Sequence, residues 1–335
     1  MTRSRGLLIL GLLFSALFLW LALRGVDLRA LGAAMANADP LWGIPFLLCL
    51  AAFCWLKSMR WAALMAISRP TGAGELIQPI VIGYMGTGLM PMQLGEVVRA
   101  YLAARELNMK MAPVLASLFA ERVLDIIVLL IILGTLGIAS AGLEPHYRSA
   151  GALFMAAAGA SMIVLWFYGA HTDIFLRMVA CCTRMLPPRW QAHLLGQLEA
   201  GAPGVQALSR PGRYIRLTAL SIAQWSCMCA CVWISLAAIG QLLSPVAALA
   251  VLATTIVAMT LPSSPGYVGA LQLAYVLALR PFGVPQADAI AASFVYLGTL
   301  WIPLVLCGLF LLHRMDLRVS DLGRGANPPP AGRQA

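Results

Sequence analysis

Two short groups of charged residues lie inside otherwise apolar sequence. Glu96 and Arg99 are three residues apart in Leu94-Gly-Glu-Val-Val-Arg-Ala-Tyr101. Glu121, Arg122 and Asp125 come together where an apolar helix is expected to begin. Helical spacings of three and four put side chains on one face. Glu96 therefore faces the same way as Arg99, and Glu121 the same way as Asp125. Arg60, beside Trp61, is a third charge in an apolar setting. Charges at membrane depth are costly, and they generally face a cavity or pair with one another. Such a set can hold an anionic group, because guanidinium matches phosphate and carboxylate oxygens bidentately. Arg99 and Arg122 are the expected ligands of that anion. Glu96, Glu121 and Asp125 would neutralise them in the empty state or exchange protons. The competing expectation is that both groups are interfacial ion pairs at the ends of membrane spans.

The elements that would position these charges are unusual. Pro91-Met-Gln-Leu-Gly95-Glu-Val-Val-Arg-Ala-Tyr101 is echoed far along the chain by Pro265-Gly-Tyr-Val-Gly269-Ala-Leu-Gln-Leu-Ala-Tyr275. In both, Gly follows Pro by four residues and Ala-Tyr follows by nine and ten. Interrupted apolar segments in corresponding parts of a membrane protein point to a transport site, and the echo suggests an internal pseudo-repeat. Pro91 and Gly95 mark the first break. Pro262, Pro265, Gly266 and Gly269 mark the second. The second copy has Ala270 and Leu273 where the first has Glu96 and Arg99, and offers Ser263, Ser264, Tyr267, Gln272 and Tyr275 instead. One charged half-site and one hydroxyl-and-backbone half-site is the expected arrangement, against an ordinary membrane turn. Helix N-termini after each break would add backbone N–H donors for an anion.

Composition fixes the class. Hydrophobic residues make up 61% of the 335 residues and charged residues 11%, against about 25% charged in a soluble globule. A soluble catalytic domain has no room here. The formal charge of +10 resides mainly in loops and tails between apolar runs, the pattern of positive-inside loops and anionic-lipid attraction rather than of nucleic-acid binding. Of eight Cys, six lie inside apolar runs, and none forms a CxxC beside a His pair, so neither zinc nor any other metal or cofactor is expected. The four His are scattered. HExxH, Gly-x-Ser-x-Gly and Walker signatures are absent, so an enzyme is not expected, although an intramembrane hydrolase or transferase built on Glu121 and Asp125 stands as an alternative.

Apolar runs at Gly6–Leu23, Trp42–Leu56, Val123–Ala141, Gly151–Tyr168, Leu217–Ile239, Pro245–Leu261 and Ala289–Leu312 are the expected spans. The second continues past Lys57 and Arg60, which are expected to snorkel toward an interface. The first run is longer than a signal-peptide core and lacks a cleavage site, so an uncleaved span is expected. With the two broken or re-entrant segments, the fold class is all-α: a polytopic transmembrane bundle of about seven to nine membrane segments. One transmembrane domain is expected over residues 1–314, with a polar tail at 315–335. Arg-rich loops place the N-terminus and the long 171–216 segment in the cytoplasm. Within that segment, Ile174–Leu186 and Trp190–Leu208 are expected as helices in the interface plane. Seven full spans would put the two ends on opposite sides, although the tail also prefers the cytoplasm. A homo-oligomer stays open.

Three stretches, Met90 to Tyr101, Glu121-Arg-Val-Leu-Asp125 and Leu261 to Gly269, resemble in order and spacing the flippase-like family, also called the lysylphosphatidylglycerol synthase transmembrane region. Its Pro-x-x-x-Gly-Glu-x-x-Arg pattern falls on Pro91, Gly95, Glu96 and Arg99, its Glu-Arg-x-x-Asp on Glu121, Arg122 and Asp125, and its Pro-x-x-Pro-Gly-x-x-Gly on Pro262, Pro265, Gly266 and Gly269. The resemblance spans about Arg60 to Leu312. It implies a bacterial-type inner-membrane protein that moves lipids or lipid-linked groups between leaflets, with membrane lipids as partners and no nucleic acid. The two-domain synthases of that family carry a cytosolic domain that this sequence lacks. Stand-alone members associate with hopanoid biosynthesis and polyprenyl-linked glycans, so substrate does not follow from fold. The competing expectation is a membrane scaffold or accessory protein for a lipid- or hopanoid-modifying enzyme.

Overall fold

The computed structural model describes residues 2–66, 69–90, 94–139, 145–184, 187–206, 211–259 and 264–315. Pro91, Pro262, Ser263 and the tail from residue 316 lie outside them. The described residues form thirteen α-helices and no strand. The first is α1 (Thr2–Leu23), followed by α2 (Leu28–Ala36) and α3 (Gly43–Met65). The first break separates α4 (Ala73–Leu89) from α5 (Leu94–Glu106). Next come α6 (Met111–Ala139), α7 (Pro145–Ala170), α8 (Thr172–Cys182), α9 (Pro188–Gln206) and α10 (Pro211–Ala238). The second break, with a 3-10 turn at Pro265–Tyr267, separates α11 (Pro245–Met259) from α12 (Ala270–Leu279), and α13 (Gln286–Arg314) closes the bundle.

Five stretches are long and apolar enough to cross a bilayer: Pro40–Met65, Met111–Ala139, Arg148–Ala170, Gly212–Ala238 and Gln286–Arg314. Leu12–Leu23 and Pro245–Met259 are shorter apolar helices. Leu and Ala lose little in such helices, and the hydrogen bonds of the helix interior satisfy its backbone groups without water, as hydrocarbon demands. Loops set the starts. Asp27 accepts the Arg29 N–H at 2.8 Å and Asp39 accepts the Leu41 N–H at 2.9 Å, each the side-chain cap of the turn that follows.

Both breaks are the tips of antiparallel helical hairpins. In the first, Gly83 and Gly86 on α4 face Arg99 and Gly95 on α5, and the Thr87 hydroxyl turns back to the Gly83 carbonyl at 3.1 Å. In the second, the Thr254 hydroxyl on α11 donates to the Ala274 carbonyl on α12 at 3.3 Å. Here the expected full span at Pro245–Leu261 is corrected: α11 has 15 residues, fewer than the roughly 20 a crossing needs, and it doubles back through α12. The start of α6 is also corrected. The helix begins at Met111, with Pro113 tolerated in its first turn, so Glu121 lies about 15 Å along it rather than at its head.

The first hairpin closes on backbone-to-backbone contact. A Cβ built on Gly95 would stand 2.0 Å from the Gly83 carbonyl oxygen and 2.4 Å from the Thr87 nitrogen. Backbone cannot retreat as a flexible side chain can. Gly95→Ala is therefore expected to lower stability by about 1–3 kcal/mol or more. Gly159→Ala, where nothing lies within 4 Å, should gain roughly 1 kcal/mol from helix propensity. Thermal unfolding of the two variants in detergent checks the contrast.

The main core joins α3, α10, α11, α12 and α13 through Phe46, Val232, Val251, Leu271 and Tyr296. A second core joins α3, α6, α7, α9 and α10 through Leu64, Leu124, Leu165, Val205 and Leu217. α9 is thus anchored to the bundle by Ala202 and Val205, and its Leu198 carbonyl accepts the Tyr168 hydroxyl. This modifies the expected in-plane helix: one face of α9 packs on protein. α8 has no buried residue and exposes Ile174 and Met178.

Candidate functional site

α3 runs antiparallel to both α6 and α10, which brings Arg60, Asp125 and Ser221 together. Arg60 donates to Asp125 Oδ1 at 2.7 Å and to the Ser221 hydroxyl at 3.1 Å. Glu121, wholly buried, is the hub. Arg99 grips it with two guanidinium nitrogens, 2.7 Å to Oε2 and 3.1 Å to Oε1. Lys57 donates to Oε1, and Arg60 Nη2 lies 3.2 Å from that same oxygen. One carboxylate therefore faces three buried cations.

Arg122 carries the network outward. It pairs with Glu96 and lies 3.7 Å from Asp125. Its side chain is 51% exposed, against 3% for Arg99. Glu96, 29% exposed, also lies 3.5 Å from Arg99. Trp61 backs the cluster, its ring 3.8 Å from the Arg99 guanidinium carbon, with its indole N–H held by Ser117 at 2.9 Å. The Trp225 indole donates to Asp125 Oδ1 at 3.2 Å. Arg60 and Arg99 each keep a buried Nε without a hydrogen-bond partner among the described residues.

The second hairpin tip meets the first through Trp301 of α13. Gly88, at the end of α4, lies against the Trp301 ring, whose indole donates to the Gly266 carbonyl at 3.3 Å. Tyr267 stacks on that ring at 6.5 Å and is near enough to Glu96 and Arg122 to feel both charges. Gly266 and Tyr267 both adopt left-handed backbone, φ 70° and 60°. Glycine does this freely, whereas a tyrosine does so at a cost of about 1–3 kcal/mol that surrounding packing must offset. α1 clamps the tip from outside. The Ser15 hydroxyl accepts the Ser264 N–H at 2.7 Å, and a Cβ on Gly269, φ 92°, would stand 2.2 Å from the Ser15 carbonyl.

The structure thus assembles Arg60, Glu96, Arg99, Glu121, Arg122 and Asp125 into one network, with Tyr267 at its edge. Glu121 occupies the Arg99 fork, the neutralised pairing expected of the empty state. Other expectations are corrected. Lys57 and Arg60 do not snorkel: they are 3% and 0% exposed, drawn inward by Glu121 and Asp125. The Ser264 hydroxyl turns to the Val268 carbonyl of its own turn at 3.3 Å. The N-terminus of α12 offers no open N–H cradle, because the Gln272 side chain caps Gly269 at 2.6 Å and α1 covers it. Tyr275 is buried in the core against Ser235 at 3.2 Å. Lys57, Trp61, Trp225 and Trp301 enter the site without having been singled out as site residues. The legible signal for the first two was the Lys57-x-x-Arg60-Trp61 spacing inside an apolar run.

No curated protein matches the sequence. The family model for the lysylphosphatidylglycerol synthase TM region matches residues 8–308, which takes in both hairpins and every residue of the charged network. With its apolar crossing helices, the molecule is a multi-pass membrane protein, and the chain belongs to the lysylphosphatidylglycerol synthase TM region family.

Proposed function

We propose that this protein is a lipid translocase, not an enzyme, that moves an anionic amphiphile between leaflets. The observation that carries this reading is the charge balance of the network. By formal charge, Lys57, Arg60, Arg99 and Arg122 face Glu96, Glu121 and Asp125, which leaves one positive charge over. The neighbouring stretches 91–93 and 260–263 contain no charged residue. An uncompensated charge at membrane depth is expensive, and a monoanionic phosphodiester head group would neutralise it. Arg122 is the accessible member and would take the head group, with Glu96 as the carboxylate displaced. Arg99, locked by Glu121, holds the first hairpin in place rather than touching cargo. Tyr267 and the Gly266 backbone would form the opposite wall.

In this reading α4–α5 and α11–α12 are re-entrant hairpins, and α1, α3, α6, α7, α10 and α13 cross. Six crossings put both termini on the side of the Arg-rich 171–216 segment, the cytoplasmic side of an inner membrane by the positive-inside rule. This removes the parity conflict that a seventh span would create. The Gly-lined tips meeting at Trp301 are the natural moving parts of such a carrier.

The reading is tested in proteoliposomes. Acyl-labelled phosphatidylglycerol should cross faster than phosphatidylcholine by about tenfold or more, with hopanoid and polyprenyl-linked lipids as competing cargo in the same assay. Equal rates for charged and zwitterionic head groups would remove the charge argument. Binding without crossing would instead fit a scaffold for a lipid-modifying enzyme.

A further inference from the structure

Beside the charged network runs a groove that no part of the head-group reading uses. It lies between α6, α10 and α11, is open on one side, and holds about 910 Å³ with the open space included. Its exposed wall is almost entirely apolar, and Ser226 is its one hydroxyl. One end is fixed by Trp225, which lines the groove and also donates to Asp125. From there α6 contributes Val128 and Ile132, one and two turns beyond Asp125, while α10 extends the wall from Ile222 to Trp233. At 1.5 Å per residue that wall is about 16 Å long.

The apolar lining and the length of the wall suit one hydrocarbon chain laid along it. Direction agrees. The groove runs from the charged network toward the far ends of α6 and α10, so a head group at Arg122 would lay its chain along the groove, as a lipid of the leaflet nearer the α6 N-terminus lies.

We infer that the groove between α6, α10 and α11 seats one acyl chain of the anionic phospholipid whose head group meets Arg122, loaded from the leaflet at the α6 N-terminal end. This rests on the head-group reading and adds the chain and the leaflet to it. Trp225 is the corner where polar and apolar parts of the cargo part company.

The test uses full-length protein in proteoliposomes holding phosphatidylglycerol, or phosphatidylcholine, with a photoactivatable diazirine midway along one acyl chain. Cross-linked peptides are mapped by mass spectrometry. Peptides containing Val128, Ile132, Cys229 and Ala230 should be labelled by phosphatidylglycerol about fivefold or more above phosphatidylcholine. Ser226→Trp, which fills the groove from its exposed wall, should abolish that excess, and Ala230→Leu does the same with a smaller side chain should the first variant fail to accumulate. Arg122→Gln should bring phosphatidylglycerol labelling down to the phosphatidylcholine level. Equal labelling by both lipids would reveal only an ordinary annular chain and overturn the inference, as would labelling indifferent to Ser226→Trp and Ala230→Leu. Selective groove labelling without any crossing of lipid would uphold the groove while sinking the translocase reading.

Discussion

Glu121→Gln is expected to destabilise the protein by about 3–5 kcal/mol, the range seen when one partner of a buried ion pair is removed. The side chain keeps its shape and loses its charge, so packing is not the cause. Lys57, Arg60 and Arg99 would be left crowded around a neutral amide in a region that water does not reach. Asp125→Asn should cost less, because Asp125 is 12% exposed and faces one buried cation, Arg60, with Arg122 reaching it from a half-open position. Removing one of the stranded cations should restore part of the loss, so Lys57→Met in the Glu121→Gln background should unfold later than Glu121→Gln alone. The check is thermal unfolding in detergent for all four proteins. A Glu121→Gln midpoint equal to wild type would mean that the hub is not a hub. Loss of transport in any Glu121 variant is therefore ambiguous unless its stability is measured alongside.

Arg122→Gln is expected to do the reverse, sparing the fold and stopping the cargo. A half-exposed ion pair contributes about 0–1 kcal/mol, so the unfolding midpoint should barely move. A charge-assisted contact to a head group is worth about 1.5–3 kcal/mol, which converts to a loss of roughly 10- to 100-fold in transport rate. Arg122→Lys should fall between, because ammonium keeps the charge but not the two-pronged fit.

Much of the site was legible in the sequence because hydrocarbon leaves charged residues few reasons to be there. Glu96, Arg99, Glu121, Arg122 and Asp125 stood out on that ground alone, and the network holds all of them. What a sequence could not assign was who faces whom. Arg99 and Arg122 looked alike as anion ligands, yet only the packing of α5 on α6 closes Arg99 with Glu121 and leaves Arg122 half open. Lys57 looked like a snorkelling side chain because it lies within two and a half turns of the end of α3, and only the long-range carboxylate of Glu121 draws it in. The Pro and Gly positions announced the two breaks. That they are hairpin tips follows from contacts such as Gly83 against Gly95 and Thr254 against Ala274, distant pairings with no local periodicity to betray them. Trp301, which joins the two tips, carried no signal beyond being an aromatic residue in an apolar helix.

The central claim is that an anionic head group passes at Arg122. The most direct measurement is the rate at which acyl-labelled phosphatidylglycerol crosses proteoliposome membranes, read by chemical quenching of the label in the outer leaflet, for wild type and Arg122→Gln at matched protein content. The account predicts crossing by wild type well above protein-free vesicles and an Arg122→Gln rate near the protein-free level, with both proteins equally folded. An Arg122→Gln protein that moves phosphatidylglycerol as fast as wild type would contradict it.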